Sequence, residues 1–192
     1  MAKMPDWIRE KLERHVRTLS PVPPADRIFR AARDYHESAQ RCFELREADG
    51  RSRFLPGQGL VLHAFASELY LKALNAIATQ AAPARGHELN VLFGRLDAAT
   101  REKIAQRYHA RYEAGVLSDD LVTFARVFQD WRYSYEFVGA REMDQAGVAH
   151  LASALYETCA EVRPDLVQSG QVHDRLVAAA QGVPIFDPRA PG

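Results

Sequence analysis

Apolar residues recur along this chain at intervals of three and four, broken by proline and glycine, and that rhythm predicts a succession of amphipathic helices. Trp7, Ile8, Leu12, Val16 and Leu19 place a first helix over residues 5–19, which Pro21, Pro23 and Pro24 stop. A second is expected over 25–47, with Ile28, Ala32, Tyr35, Ala39 and Phe43 as its inward stripe. Residues 48–59 hold three glycines and Pro56 and read as a loop. A strongly helical stretch follows over 60–81, turning Leu62, Phe65, Ala66, Leu69, Ala73 and Ile77 to one side. Glu68 and Lys72 stand four apart near its edge, in the order that suits an ion pair.

A short helix over 87–96 is anchored by Leu89, Leu92, Phe93 and Leu96, and a more polar one over 98–114 stops before Gly115. Ser118 serves as N-cap of a long helix reaching residue 137, whose face runs Leu121, Phe124, Ala125, Phe128, Trp131, Arg132, Tyr135. The last strong pattern, over 144–163, carries Val148, Leu151, Ala152, Leu155, Tyr156 and Cys159 and ends at Pro164. Beyond Asp165 the periodicity fades, leaving a brief helix over 172–180 in a tail that orders only against something else. No segment alternates as a strand does. The expected fold is therefore all-α, an antiparallel helical bundle with short accessory helices. It divides into an N-terminal helix and proline linker (1–24), the bundle (25–163) and a weakly structured tail (164–192).

Composition narrows the function classes. A length of 192 residues suits one domain with a substantial core. The 25 basic and 25 acidic residues cancel, so bulk charge gives no reason to expect nucleic-acid binding, although a local groove remains open. Of the basic residues 21 are arginine, which favours planar, bidentate contacts with carboxylate or phosphate. Two cysteines, Cys42 and Cys159, rule out a dense disulfide scaffold and a four-cysteine metal site. With no apolar leader and no apolar run long enough to cross a membrane, a soluble, cytoplasmic protein is expected.

The chemistry-bearing residues concentrate late in the long helix, in Trp131-Arg-Tyr-Ser-Tyr-Glu136. Arg132 falls in the same spacing series as Leu121, Ala125, Phe128 and Tyr135, so its stem packs inward and its guanidinium needs an acceptor. Glu136 offers one along the helix, and Glu68 another across the bundle. Arg132, Glu136 and Glu68 thus form either a structural ion network, the commoner outcome, or a polar pocket for a ligand or phosphate. Tyr133 and Tyr135 could stack on bases or simply pack. His87, at the start of the short helix, is a feasible acid or base, or a group that only bonds the preceding turn. The seven histidines show no metal-binding spacing, and no metal or cofactor is expected. Arg101, Arg107, His109 and Arg111 make a basic strip, diluted by Glu102 and Glu113, that reads mainly as a solvated face. A phosphate-cradling glycine loop and a nucleophile elbow are both absent from the sequence, and Arg51 and Arg53 alone are weak grounds for an anion site.

Three stretches, Ala66-Ser-Glu-Leu-Tyr-Leu-Lys-Ala-Leu74, Gly86-His-Glu-Leu-Asn-Val-Leu92 and Phe128-Gln-Asp-Trp-Arg-Tyr-Ser-Tyr-Glu136, resemble the helical HEPN superfamily over most of residues 25–163. The resemblance implies an antiparallel bundle, commonly dimeric, in a family whose members cleave RNA, bind nucleotides or act as noncatalytic partners. Glu68 and Lys72 match the recurrent acidic and basic positions of its early core helix, and His87 matches the histidine of its glycine-histidine turn. Nuclease members carry an arginine, a polar residue, three variable residues and a histidine. Aligned on Arg132, this chain has Tyr133 and Phe137 at the second and last of those positions. A phenyl ring neither ionises nor transfers a proton. The expectation is therefore a noncatalytic, homodimeric HEPN-like protein with an arginine-containing groove for RNA, a nucleotide or a protein partner. One alternative is a divergent metal-independent endoribonuclease in which His87 or His109 joins Arg132. The other is a structural, antitoxin-like or defence-associated partner, docking through its first helix or Phe54-Leu55.

Overall fold

The computed structural model describes residues 24–48, 51–53, 55–80, 84–132 and 144–167. The expected helices over 5–19 and 172–180 lie outside them. Helix α1 spans Pro24–Cys42, strands β1 and β2 span Arg46–Ala48 and Arg51–Arg53, and α2 spans Pro56–Thr79. Then come α3 (Leu89–Gly94), α4 (Ala98–Arg111), α5 (Leu117–Arg132) and α6 (Gln145–Val162). The described residues form a helical bundle with one two-stranded antiparallel hairpin. None of their helices is long and apolar enough to cross a membrane.

Helix α2 is the axis. It packs against α1, α3, α5 and α6, and it buries Leu60, Ala64, Ser67, Tyr70, Leu71 and Leu74 around more than one face. A helix enclosed in this way has no single apolar stripe. The inward set expected on one side is accordingly corrected: Ala66 and Ala73 are buried, whereas Leu62, Phe65, Leu69 and Ile77 are only half-buried. The helix also starts four residues earlier than expected, because Pro56 is tolerated in a first turn that needs no backbone donor from it.

On α1 the inward stripe is Ala25, Phe29, Ala32, His36 and Ala39, rotated from the expected set so that His36 replaces the exposed Tyr35. The expected loop contains the hairpin, with Arg46 opposite Arg53 and Ala48 opposite Arg51. This corrects the expectation of a strand-free chain. Asp49-Gly50 separates the strands in sequence, a dipeptide suited to a two-residue hairpin connection.

Side-chain caps fix the later boundaries. Asp97 Oδ1 accepts from Thr100 N at 2.9 Å to start α4, and Asp144 Oδ1 accepts from Gly147 N at 2.8 Å to start α6. Ser118 lies inside α5, not ahead of it. Past α6 the chain makes another helical turn over 164–167, which buries Leu166.

Cross-links between helices hold the frame. Asn75 Nδ2 donates to Leu71 O at 2.8 Å and to Leu92 O at 3.0 Å, tying α3 to α2. Tyr108 donates its hydroxyl to Asp120 Oδ2 at 2.8 Å, joining α4 to α5. Arg107 donates to Thr158 Oγ1 at 2.9 Å, joining α4 to α6. Each satisfies a polar atom that the core would otherwise strand.

Candidate functional site

Helix α2 carries Glu68 into the interior with only 4% of its surface exposed. A carboxylate so placed needs partners. Lys72, one turn later, donates from Nζ to Glu68 Oε1 at 2.7 Å. His87 reaches the same oxygen from the segment ahead of α3, with Nδ1 at 3.0 Å. Gly86 takes a φ of +102°, a backbone conformation that glycine adopts without strain, immediately before His87. The Asn75 bonds fix α3 behind it.

The geometry sets the imidazole's tautomer. An ionised carboxylate only accepts, so His87 donates from Nδ1 and leaves Nε2 as acceptor when neutral or donor when charged. The side chain of His87 is 73% exposed, in contrast to the buried carboxylate that holds it. The cluster therefore consists of an interior anion, a half-buried ammonium and an oriented surface imidazole. It can offer a hydrogen bond to an incoming group, or exchange a proton with it, through Nε2.

The structure thus brings together Glu68, Lys72 and His87. Arg132 is the last residue of α5, a helix packed on α2, but its side chain, together with Tyr133, Glu136 and Phe137, lies outside the described part of the structure. His109 is exposed on α4 with its ring 5.9 Å from that of Tyr108, and no hydrogen bond joins it to the cluster among the described residues. The basic strip on α4 is largely neutralised. Arg107 pairs with Glu157 and Glu161, Arg111 with Glu157, and Lys103 with Glu161. Hydrogen bonds from Lys103 and Arg107 hold the Glu161 carboxyl below its ordinary pKa.

Sequence reasoning missed a histidine pair. His36 on α1 and His63 on α2 meet edge to face with ring centroids 5.2 Å apart, both almost fully buried. His36 Nδ1 lies 3.3 Å from the Tyr70 hydroxyl, and the ring of Phe43 stacks on His63. Burial lowers the pKa of His36 to about 4; burial and then the neighbouring His36 lower that of His63 to about 3. Both are neutral at pH 7. Among the described residues, His36 Nε2 and His63 Nδ1 have no hydrogen-bond partner. The available signal was positional, since His36 follows Phe29 by seven residues and His63 precedes Tyr70 by seven. Among the described residues no cluster of three or more His, Cys, Asp or Glu side chains is placed to hold a metal ion.

Comparison of the chain with protein-family models, curated proteins and solved structures finds no match.

Proposed function

We propose that this chain is a HEPN-like helical-bundle protein that binds RNA or a nucleotide through phosphate without cleaving it, as a homodimer. One observation carries the reading: buried Glu68 holds exposed His87 by Nδ1 on the same oxygen that takes Lys72 Nζ, so Nε2 is the ring nitrogen left for a ligand. Such an imidazole contacts a phosphate oxygen, and Arg132, the arginine of the resembling motif, supplies the bidentate contact that an ammonium cannot. Phe137 argues for binding without turnover, because it stands where nuclease members place their proton carrier.

The Glu68–His87 pair also favours a second reading, a divergent endoribonuclease. A carboxylate that orients an imidazole is a common arrangement for a general base, with arginine stabilising phosphate charge. His87 is the candidate for that role, whereas His109 is not joined to the pair.

Fluorescence anisotropy with short single-stranded RNA and with nucleotides tests the first reading. Saturable binding that weakens at least tenfold in folded Arg132→Ala and His87→Ala supports it; unchanged affinity in both rejects it. RNA cleavage that disappears in His87→Ala would establish the second reading instead. Light scattering tests the dimer, and a monomer at micromolar concentration removes it.

A further inference from the structure

Helices α3, α4 and α5 line an open groove of about 590 Å³, within the volume range that small-molecule sites occupy. Phe93, Ala105, Leu117, Leu121 and Val122 give it apolar walls, and Arg101 contributes the cation. Arg101 differs from its neighbours. Lys103, Arg107 and Arg111 sit on the flank of α4 that meets α6, and all three are paired with Glu157 or Glu161. Ala98, Arg101 and Ala105, spaced three and four apart, occupy the other flank, beyond the core positions Ile104 and Tyr108. There Arg101 has no ion pair among the described residues, and its Nε, shielded from solvent, has no hydrogen-bond partner. The charge of this half-buried guanidinium is unpaired among the described residues, and its terminal nitrogens beside an apolar wall are the groups an anionic ligand would meet.

We infer that this groove binds an amphipathic monocarboxylate, its carboxylate on the Arg101 guanidinium and its hydrocarbon or aryl body against Phe93, Ala105 and Leu121. The charge of the surroundings selects among anions. Glu102 also lines the groove, and its negative charge favours a singly charged head over phosphate. The site is separate from Glu68 and His87 and stands or falls independently of the RNA reading.

Calorimetric titration with decanoate below its micelle concentration tests the inference, with decanol and decyl phosphate as comparison probes. Saturable decanoate binding that weakens about tenfold in Arg101→Gln, and equally in Ala105→Leu, which fills the groove, supports it. Arg111→Gln, on the opposite flank of α4, leaves the affinity unchanged. Circular dichroism confirms that each variant is folded. Decanol binding as tightly as decanoate, decyl phosphate binding more tightly, an unaltered affinity in Arg101→Gln, or no saturable binding would each overturn it.

Discussion

Acidification perturbs the histidine pair without altering any covalent bond. In the unfolded chain both imidazoles titrate near the ordinary value of 6.5; in the bundle burial holds His36 at about 4 and His63 at about 3. Between those limits the unfolded state binds more protons than the native one, so stability rises with pH and is lost as pH falls below about 6.5. Each unit of difference is worth about 1.4 kcal/mol per group. At about pH 5, some 1.5 units below the unfolded value and still above both folded values, each histidine has withdrawn about 2 kcal/mol, or about 4 for the pair. That is a large part of the few to fifteen kcal/mol that typically hold a domain together. Urea unfolding at about pH 7.5 and pH 5 measures the loss, and His36→Leu and His63→Leu isolate it from the carboxylates. Each single variant is expected to remove about half of the histidine-dependent slope, and the double variant all of it. A double variant whose stability falls with acid as steeply as that of the parent would refute the assignment.

Three further perturbations follow from contacts already described. Lys72→Met takes the ammonium from the buried Glu68 carboxylate, leaving it His87 Nδ1 alone, and should cost about 2 kcal/mol, much of it recovered when Glu68→Gln is added; urea midpoints of the three proteins form the test. Gly59→Ala would place a methyl 2.5 Å from a ring carbon of Phe43, the side chain stacked on His63. A loss of about 1–2 kcal/mol is expected from overpacking, net of alanine's better helix propensity, and a stabilised variant would show that the ring yields freely. Phe124→Ala empties a site with 1% exposure and should lower stability by about 3–5 kcal/mol in the same assay.

Much of the architecture was legible because boundaries are written in local chemistry. Asp97 and Asp144 cap helices through bonds confined to one turn, and the expected edges of α4 and α6 depart from the observed ones mainly at their ends; Pro24, expected in the linker, is instead the first residue of α1. The hairpin escaped because Arg46-Glu-Ala48 and Arg51-Ser-Arg53 have no apolar alternation, leaving Asp49-Gly50 as its single signal. On α1 the apolar rhythm picked Tyr35 over His36, because a polar residue is not counted toward a core until its burial is seen. On α2 the one-face reading failed because neighbours surround that helix. At the candidate site, the Glu68–Lys72 pair lies within one helix and is readable as spacing. The meeting of His87 with Glu68 depends on how Gly86 turns the chain and how Asn75 seats α3, which spacing does not encode. Arg101 reads in sequence like its arginine neighbours, and only the packing of α6 against one flank of α4 sets it apart.

The binding account turns on an imidazole held at one nitrogen and open at the other. Nitrogen-15 spectra of histidine-labelled protein, recorded during titration with short single-stranded RNA, report both atoms of His87 separately. The account expects Nδ1 to stay protonated and bonded to Glu68 while the Nε2 resonance moves to saturation with RNA, and Glu68→Gln to disturb both. His87 resonances that stay fixed while the protein saturates with RNA, or throughout a titration in which no RNA binds, would contradict it.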